Sequence, residues 1–96
     1  MKISVSKDAA QWYKKEMILQ DGDVLRFFVQ YGGCSTVQKG LSLGIRKDTA
    51  IQAAAETKEE GITFFVEADD EWYFDGHDLS VTYTSGEEEP QFHYEK

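Results

Sequence analysis

The chain has 96 residues, which at this length buries roughly 60–65% of its unfolded surface and supplies one core, not two. Its 41% hydrophobic and 14% aromatic content is a folding composition and excludes a disordered chain. A net charge of −8, from 18 acidic and 10 basic residues, argues against nucleic acid and anionic membrane as partners, since both want a basic face. The single cysteine excludes an internal disulfide. The N-terminus has no apolar signal region, and no run approaches the roughly 20 apolar residues of a membrane helix. The cytoplasm is the expected compartment.

In chain order, Lys2 to Val5 predicts a short edge strand with Ile3 and Val5 on one face. Ser6 reads as a helix N-cap, and Asp8 places a negative charge in the first turn. The spacing of Ala9, Tyr13 and Met17 extends the helix to about Gln20, where Asp21-Gly22-Asp23 ends it. Val24 to Tyr31 alternates, with Leu25, Phe27, Val29 and Tyr31 on one face and Val24, Arg26, Phe28 and Gln30 on the other. The second face is not purely polar, so both sides of this strand are expected to be covered.

A loop then carries Gly32, Gly33, Cys34, Ser35 and Thr36. Val37 to Arg46 predicts the next strand, and Gly40 and Gly44 within it suggest a bulge or a close backbone approach. Asp48 to Glu60 is rich in helix formers, so local propensity gives a short surface helix stopped by Gly61. Ile62 to Ala68 is a strand, Asp69 to Glu71 a turn, and Trp72 to Phe74 a short aromatic strand. Asp75-Gly76 is a hairpin-turn dipeptide before the alternating Leu79, Val81 and Tyr83. Glu87 to Pro90 forms a charged loop, and Gln91 to Tyr94 a last strand with Phe92 and Tyr94 facing one way. The sum is a mainly β, α+β domain spanning residues 1–96, mostly antiparallel, with one N-terminal helix covering one face.

Cys34 is the leading candidate for chemistry. Backbone amides of a Gly-flanked loop can lower a thiol pKa, and the thiolate is the form that binds metal or attacks an electrophile. Buried cysteine as an inert small hydrophobe is the competing reading. His77 and His93 would have to reach Cys34 in space to form a nucleophilic pair or a zinc site, and each otherwise reads as a surface residue. The acidic residues from Glu67 to Asp78 fit no calcium-loop spacing and read as solvated turns. Gly32-Gly33 lacks the Lys-Ser/Thr ending of a phosphate loop.

The order of Ile3-Ser4-Val5-Ser6, Ala9-Ala10, Gly32-Gly33-Cys34-Ser35, the strand from Ile62 and the Phe74-Asp75-Gly76 turn resembles the HesB/IscA A-type iron–sulfur carriers, in particular short single-cysteine forms. The resemblance implies two packed sheets plus the helix, a homodimer, and iron or [2Fe–2S] binding in concert with iron–sulfur assembly proteins. It assigns Cys34 as ligand, with Gly32, Gly33 and Ser35 presenting it. The family's C-terminal cysteine pair has no counterpart before Lys96, so glutathione, carboxylate or histidine would complete the shell. It also implies a strand within Asp48 to Glu60. Two further functions compete with an iron-handling protein. One is a cluster-free protein-interaction module using acidic turns and Trp72. The other is a thiol enzyme or redox sensor with His77 or His93 as base.

Overall fold

A computed structural model describes residues 1–33, 35 and 37–96. Among them are seven strands, one α-helix and one 3-10 helix. The strands are β1 (Ile3–Val5), β2 (Val24–Tyr31), β3 (Leu41–Lys47), β4 (Ala53–Glu59), β5 (Ile62–Glu67), β6 (Asp78–Thr82) and β7 (Gln91–Glu95). The helix α1 spans Lys7–Glu16, and the 3-10 helix spans Ala68–Phe74. They form a three-stranded sheet, ordered β1-β6-β7, and a four-stranded sheet, ordered β3-β2-β5-β4. Three pairings are antiparallel; β1–β6 and β2–β5 are parallel. The expected α+β class with two sheets of short strands and an N-terminal helix holds.

Helix α1 starts where its chemistry says it should. The Ser6 hydroxyl accepts the Ala9 amide at 3.1 Å, and Asp8 sits in the first turn. It ends earlier than the apolar spacing predicts. The Met17 amide donates to the Tyr13 carbonyl, and the Leu19 amide reaches back to the Lys14 carbonyl at 2.8 Å, the six-to-one bond of a Schellman motif. Ile18 therefore takes the left-handed position usually given to glycine, with φ of 52°, and its side chain is 83% exposed. The spacing of Ile18 and Leu19 mimics helix continuation, but Leu19 folds back into the core while Ile18 faces out.

The core lies between the inner face of the four-stranded sheet, α1 and the three-stranded sheet. Phe27 and Phe64 stack at 5.8 Å; Tyr13 and Phe92 meet Phe27 edge-on at 6.4 and 5.7 Å. Fully burying each such ring contributes about 1.5–3 kcal/mol. On the opposite face of β2, Gly44 of β3 lies beside Phe28 so closely that a Cβ there would stand 2.5 Å from Phe28 Cζ. The close approach expected at Gly44 is present. Tyr31, on the same face of β2 as Leu25 and Phe27, is 95% exposed, because β2 runs past the end of the core.

Several predicted elements differ, and the strand predicted from Val37 begins only at Leu41. Within Asp48 to Glu60, where propensity gives a helix and the resemblance a strand, Ala53–Glu59 is an edge strand: the antiparallel register with β5 supplies backbone partners that outweigh its helix propensity. Glu60 and Gly61, both at positive φ (54° and 77°), close that hairpin in the manner of a type I′ turn, so Gly61 turns a hairpin and stops no helix. Trp72 to Phe74 belongs to the 3-10 helix; consecutive Tyr73 and Phe74 are both buried, which an alternating strand would not achieve. Asp75-Gly76 does turn the chain at positive φ, but it joins the 3-10 helix to β6 and not two paired strands.

Two substitutions test these backbone constraints. Ile18→Gly relieves a β-branched left-handed residue and is expected to stabilise the chain by about 1 kcal/mol, seen as a higher urea midpoint at unchanged slope. Gly44→Ala drives a methyl into Phe28 and is expected to lower stability by about 1–3 kcal/mol, with Phe28→Leu restoring part of the loss.

Candidate functional site

The β2–β3 loop was the first place to seek chemistry. Cys34 and Thr36 lie outside the described residues, so the assignment of Cys34 as ligand or nucleophile has no geometry here. Around them, Gly32 and Gly33 both adopt positive φ (97° and 71°), and the Gly32 amide donates to the Gly40 carbonyl at 2.9 Å. The Ser35 hydroxyl accepts the Gln38 amide at 3.1 Å and donates to the Gln38 carbonyl at 3.0 Å. Ser35 thus closes its own turn. His77 donates from Nδ1 to the Phe74 carbonyl at 2.8 Å, and His93 Nε2 pairs with the Thr82 hydroxyl at 2.9 Å. His93 alternates with Phe92 and Tyr94 along β7, so it points away from the core. Among the described residues, no group of three His, Cys, Asp or Glu side chains is placed to hold a metal ion.

A cleft of about 740 Å³ opens beside this loop, between the second half of α1, strand β3 and the segment leading into β7. Its floor is aromatic and aliphatic: Trp12, Tyr13, Leu43, Ile45, Phe92 and Tyr94. Its polar residues are Glu16 and Glu89 together with Gln30, Ser35, Ser42 and Gln91. Burial, and then the neighbouring charge of Glu89, push the Tyr13 phenol up from its ordinary value. Burial and the 3.0 Å bond to Tyr73 do the same for Tyr94. Both phenols therefore stay neutral at physiological pH, and the cleft's fixed charge is that of its glutamates. Sequence reasoning placed Glu16 on a helix face and Glu89 in a charged loop; nothing in their spacing signals that they share a cleft.

A second feature lies on the outer face of the four-stranded sheet. The Asp48 carboxylate meets Arg26 and Arg46, each at 3.4 Å, and Arg26 also binds Asp70 at 2.8 Å. The buried Glu67 carboxylate accepts the Ile51 and Gln52 amides at 3.0 and 3.2 Å. These bonds hold residues 48–52 against the sheet and leave the Ile51 side chain 94% exposed at their tip. Trp72, on the adjoining 3-10 helix, is 57% exposed. The backbone amide of Thr49, and then Arg26 and Arg46, hold the Asp48 carboxyl below its ordinary value of 3.8. Its contribution to stability is thus complete above that value and lost as pH falls through the lowered one. Asp48→Asn should therefore reduce the urea midpoint at neutral pH, and the gap from the native chain should close on acidification below 3.8.

No protein-family model matches the chain. It is 52% identical to the pyruvate dehydrogenase inhibitor of Bacillus subtilis over 95 residues, covering 99% of this chain and 100% of that protein. It is 34% identical to an uncharacterized protein of Staphylococcus saprophyticus over 93% of this chain and 94% of the other. A protein of Staphylococcus haemolyticus is 30% identical over 84% of this chain. These relationships overturn the resemblance to HesB/IscA iron–sulfur carriers and the iron-handling function it implied. That resemblance rested on a four-residue loop and a strand pattern, which many small β domains can share, against identity at about half of all positions. The chain belongs to the family of the Bacillus subtilis pyruvate dehydrogenase inhibitor.

Proposed function

We propose that this chain is a protein-binding inhibitor of pyruvate dehydrogenase and acts by occupying a surface of that enzyme, with no chemistry of its own. The observation that carries the reading is the 52% identity, over 99% of this chain and all of the relative, to a protein bearing that name. The surface is compatible with it. Ile18, Ile51 and Trp72 are large apolar side chains turned to solvent, and two of them are held there by specific backbone devices. Ile18 sits in a strained left-handed conformation, and Ile51 tips a segment tied down by a buried carboxylate. Strain and preorganisation of this kind cluster at binding surfaces because they reduce the ordering cost of association.

The test is a steady-state assay of purified Bacillus subtilis pyruvate dehydrogenase with increasing amounts of the chain. The rate should fall saturably, with an apparent Kd of roughly micromolar or tighter, and the two proteins should co-elute on gel filtration. An unchanged rate together with separate elution would sink the reading. Trp72→Ala and Ile51→Ser should each weaken inhibition by about tenfold without shifting the melting temperature, since both side chains are exposed.

A further inference from the structure

We propose that the cleft between β3 and β7 is a docking groove for an extended segment of the partner protein that carries arginine or lysine. The identity of the partner rests on the reading above; the chemistry of the groove does not.

Three observations carry the proposal. First, the cleft is bordered by strand edges. Among the described residues, β3 pairs with β2 alone and β7 with β6 alone, so each is the last strand of its sheet. The wall on one side is formed by the consecutive residues 42–45 of β3, and on the other by 89–92, of which Gln91 and Phe92 open β7. Alternate residues of a strand point to opposite faces, so a run of consecutive residues can line a cavity only by presenting the strand's edge. An open edge offers unpaired backbone amides and carbonyls to an incoming extended chain, and β3, the longer of the two at seven residues, is the better template.

Second, the volume of about 740 Å³ is deep enough to take side chains as well as backbone, and its floor is aromatic. Third, its charged lining residues are the two carboxylates Glu16 and Glu89; neither lysine nor arginine lines it among the described residues. An aromatic floor with carboxylates at the rim favours a cation that can both stack and pair, which describes guanidinium or ammonium. The same charge argument sets a second copy of this chain aside as occupant, since it brings a net charge of −8 to an acidic groove.

The experiment pairs two probes at physiological salt. One is a labelled eight-residue peptide of alternating arginine and valine, with a glutamate-valine peptide beside it, read by fluorescence anisotropy. The other is pyruvate dehydrogenase, read by inhibition. Both are run against the native chain, the groove variant Glu16→Lys/Glu89→Lys, and the charge-matched variant Glu56→Lys/Glu95→Lys, whose residues are exposed and do not line the cleft. Circular dichroism melting checks that all three fold.

The cationic peptide should bind saturably and the acidic one should not. The groove variant should lose at least about tenfold in affinity for the peptide and for the enzyme, with the charge-matched variant within about twofold of native. Hydrogen exchange should slow at amides of β3 when the peptide is bound. Equal losses in both variants, or no saturable peptide binding, overturn the groove whatever the enzyme assay shows. Groove-dependent peptide binding with no effect on the enzyme upholds the groove and removes pyruvate dehydrogenase as its partner.

Discussion

The structure depends on how residues 48–52 connect two strands that run the same way at opposite edges of one sheet. β3 is antiparallel to β2, β2 parallel to β5, and β5 antiparallel to β4, so β3 and β4 are parallel. The connection must cross β2 and β5, a distance of about 14 Å at the usual strand spacing. It must also climb from the level of Phe64 to that of Glu67, about 10 Å more. Six residue steps extend to about 20 Å at most, against a diagonal of about 17 Å. The segment is therefore close to taut, and every group beneath it has a job set by that path. Arg26, projecting from the outer face of β2, meets Asp48 where the segment departs and Asp70 where the 3-10 helix begins. Glu67 accepts its amides where it arrives. Phe65, on the face of β5 opposite Phe64, is fully buried.

That path explains the pattern of what the amino acids disclosed. Elements whose determinants are local were legible: the Ser6 cap, the alternation of Val24 to Tyr31, the Gly44 approach and the strand from Ile62. The crossing was not, because its determinants are non-local. Ala53 to Glu59 reads as helix in isolation, and becomes strand only because β5 offers a ladder and the taut segment delivers it to the far edge. Trp72 to Phe74 reads as strand by composition, but Tyr73 and Phe74 must both enter the core within the short span between β5 and β6. The second face of β2, expected to be covered, is half-buried at Val24, Arg26 and Phe28 and exposed at Gln30; Asp48 and Asp70 pair with Arg26, and Arg46 lies 4.6 Å over the Phe28 ring.

The candidate site divides along the same line. The glycines flanking Cys34 were identifiable from the chain, and their positive φ values agree with a tight loop. The groove was not identifiable, because Glu16, Ser42 and Glu89 come from three distant segments. The family resemblance drawn from the loop pointed to metal chemistry, while the full-length identity is to a protein named pyruvate dehydrogenase inhibitor. A short motif weighs a few residues; a full-length alignment weighs all of them, surface included, and it is surface that a binding protein must keep.

The parallel pairing of β1 with β6 has a consequence for how the chain comes into being. Ile3 pairs with Leu79 and Val5 with Val81, and the Lys2 amide is held by the Asp78 carboxylate at 2.7 Å. Strand β1 is therefore an edge of a sheet whose other two strands, β6 and β7, follow the whole four-stranded sheet along the chain. During synthesis β1 has no ladder to join until β6 has left the exit tunnel. The four-stranded sheet, whose strands all lie between residues 24 and 67, can assemble earlier, with α1 resting on it. The three-stranded sheet thus closes last, when residues 3–5 meet 78–82 and 91–95.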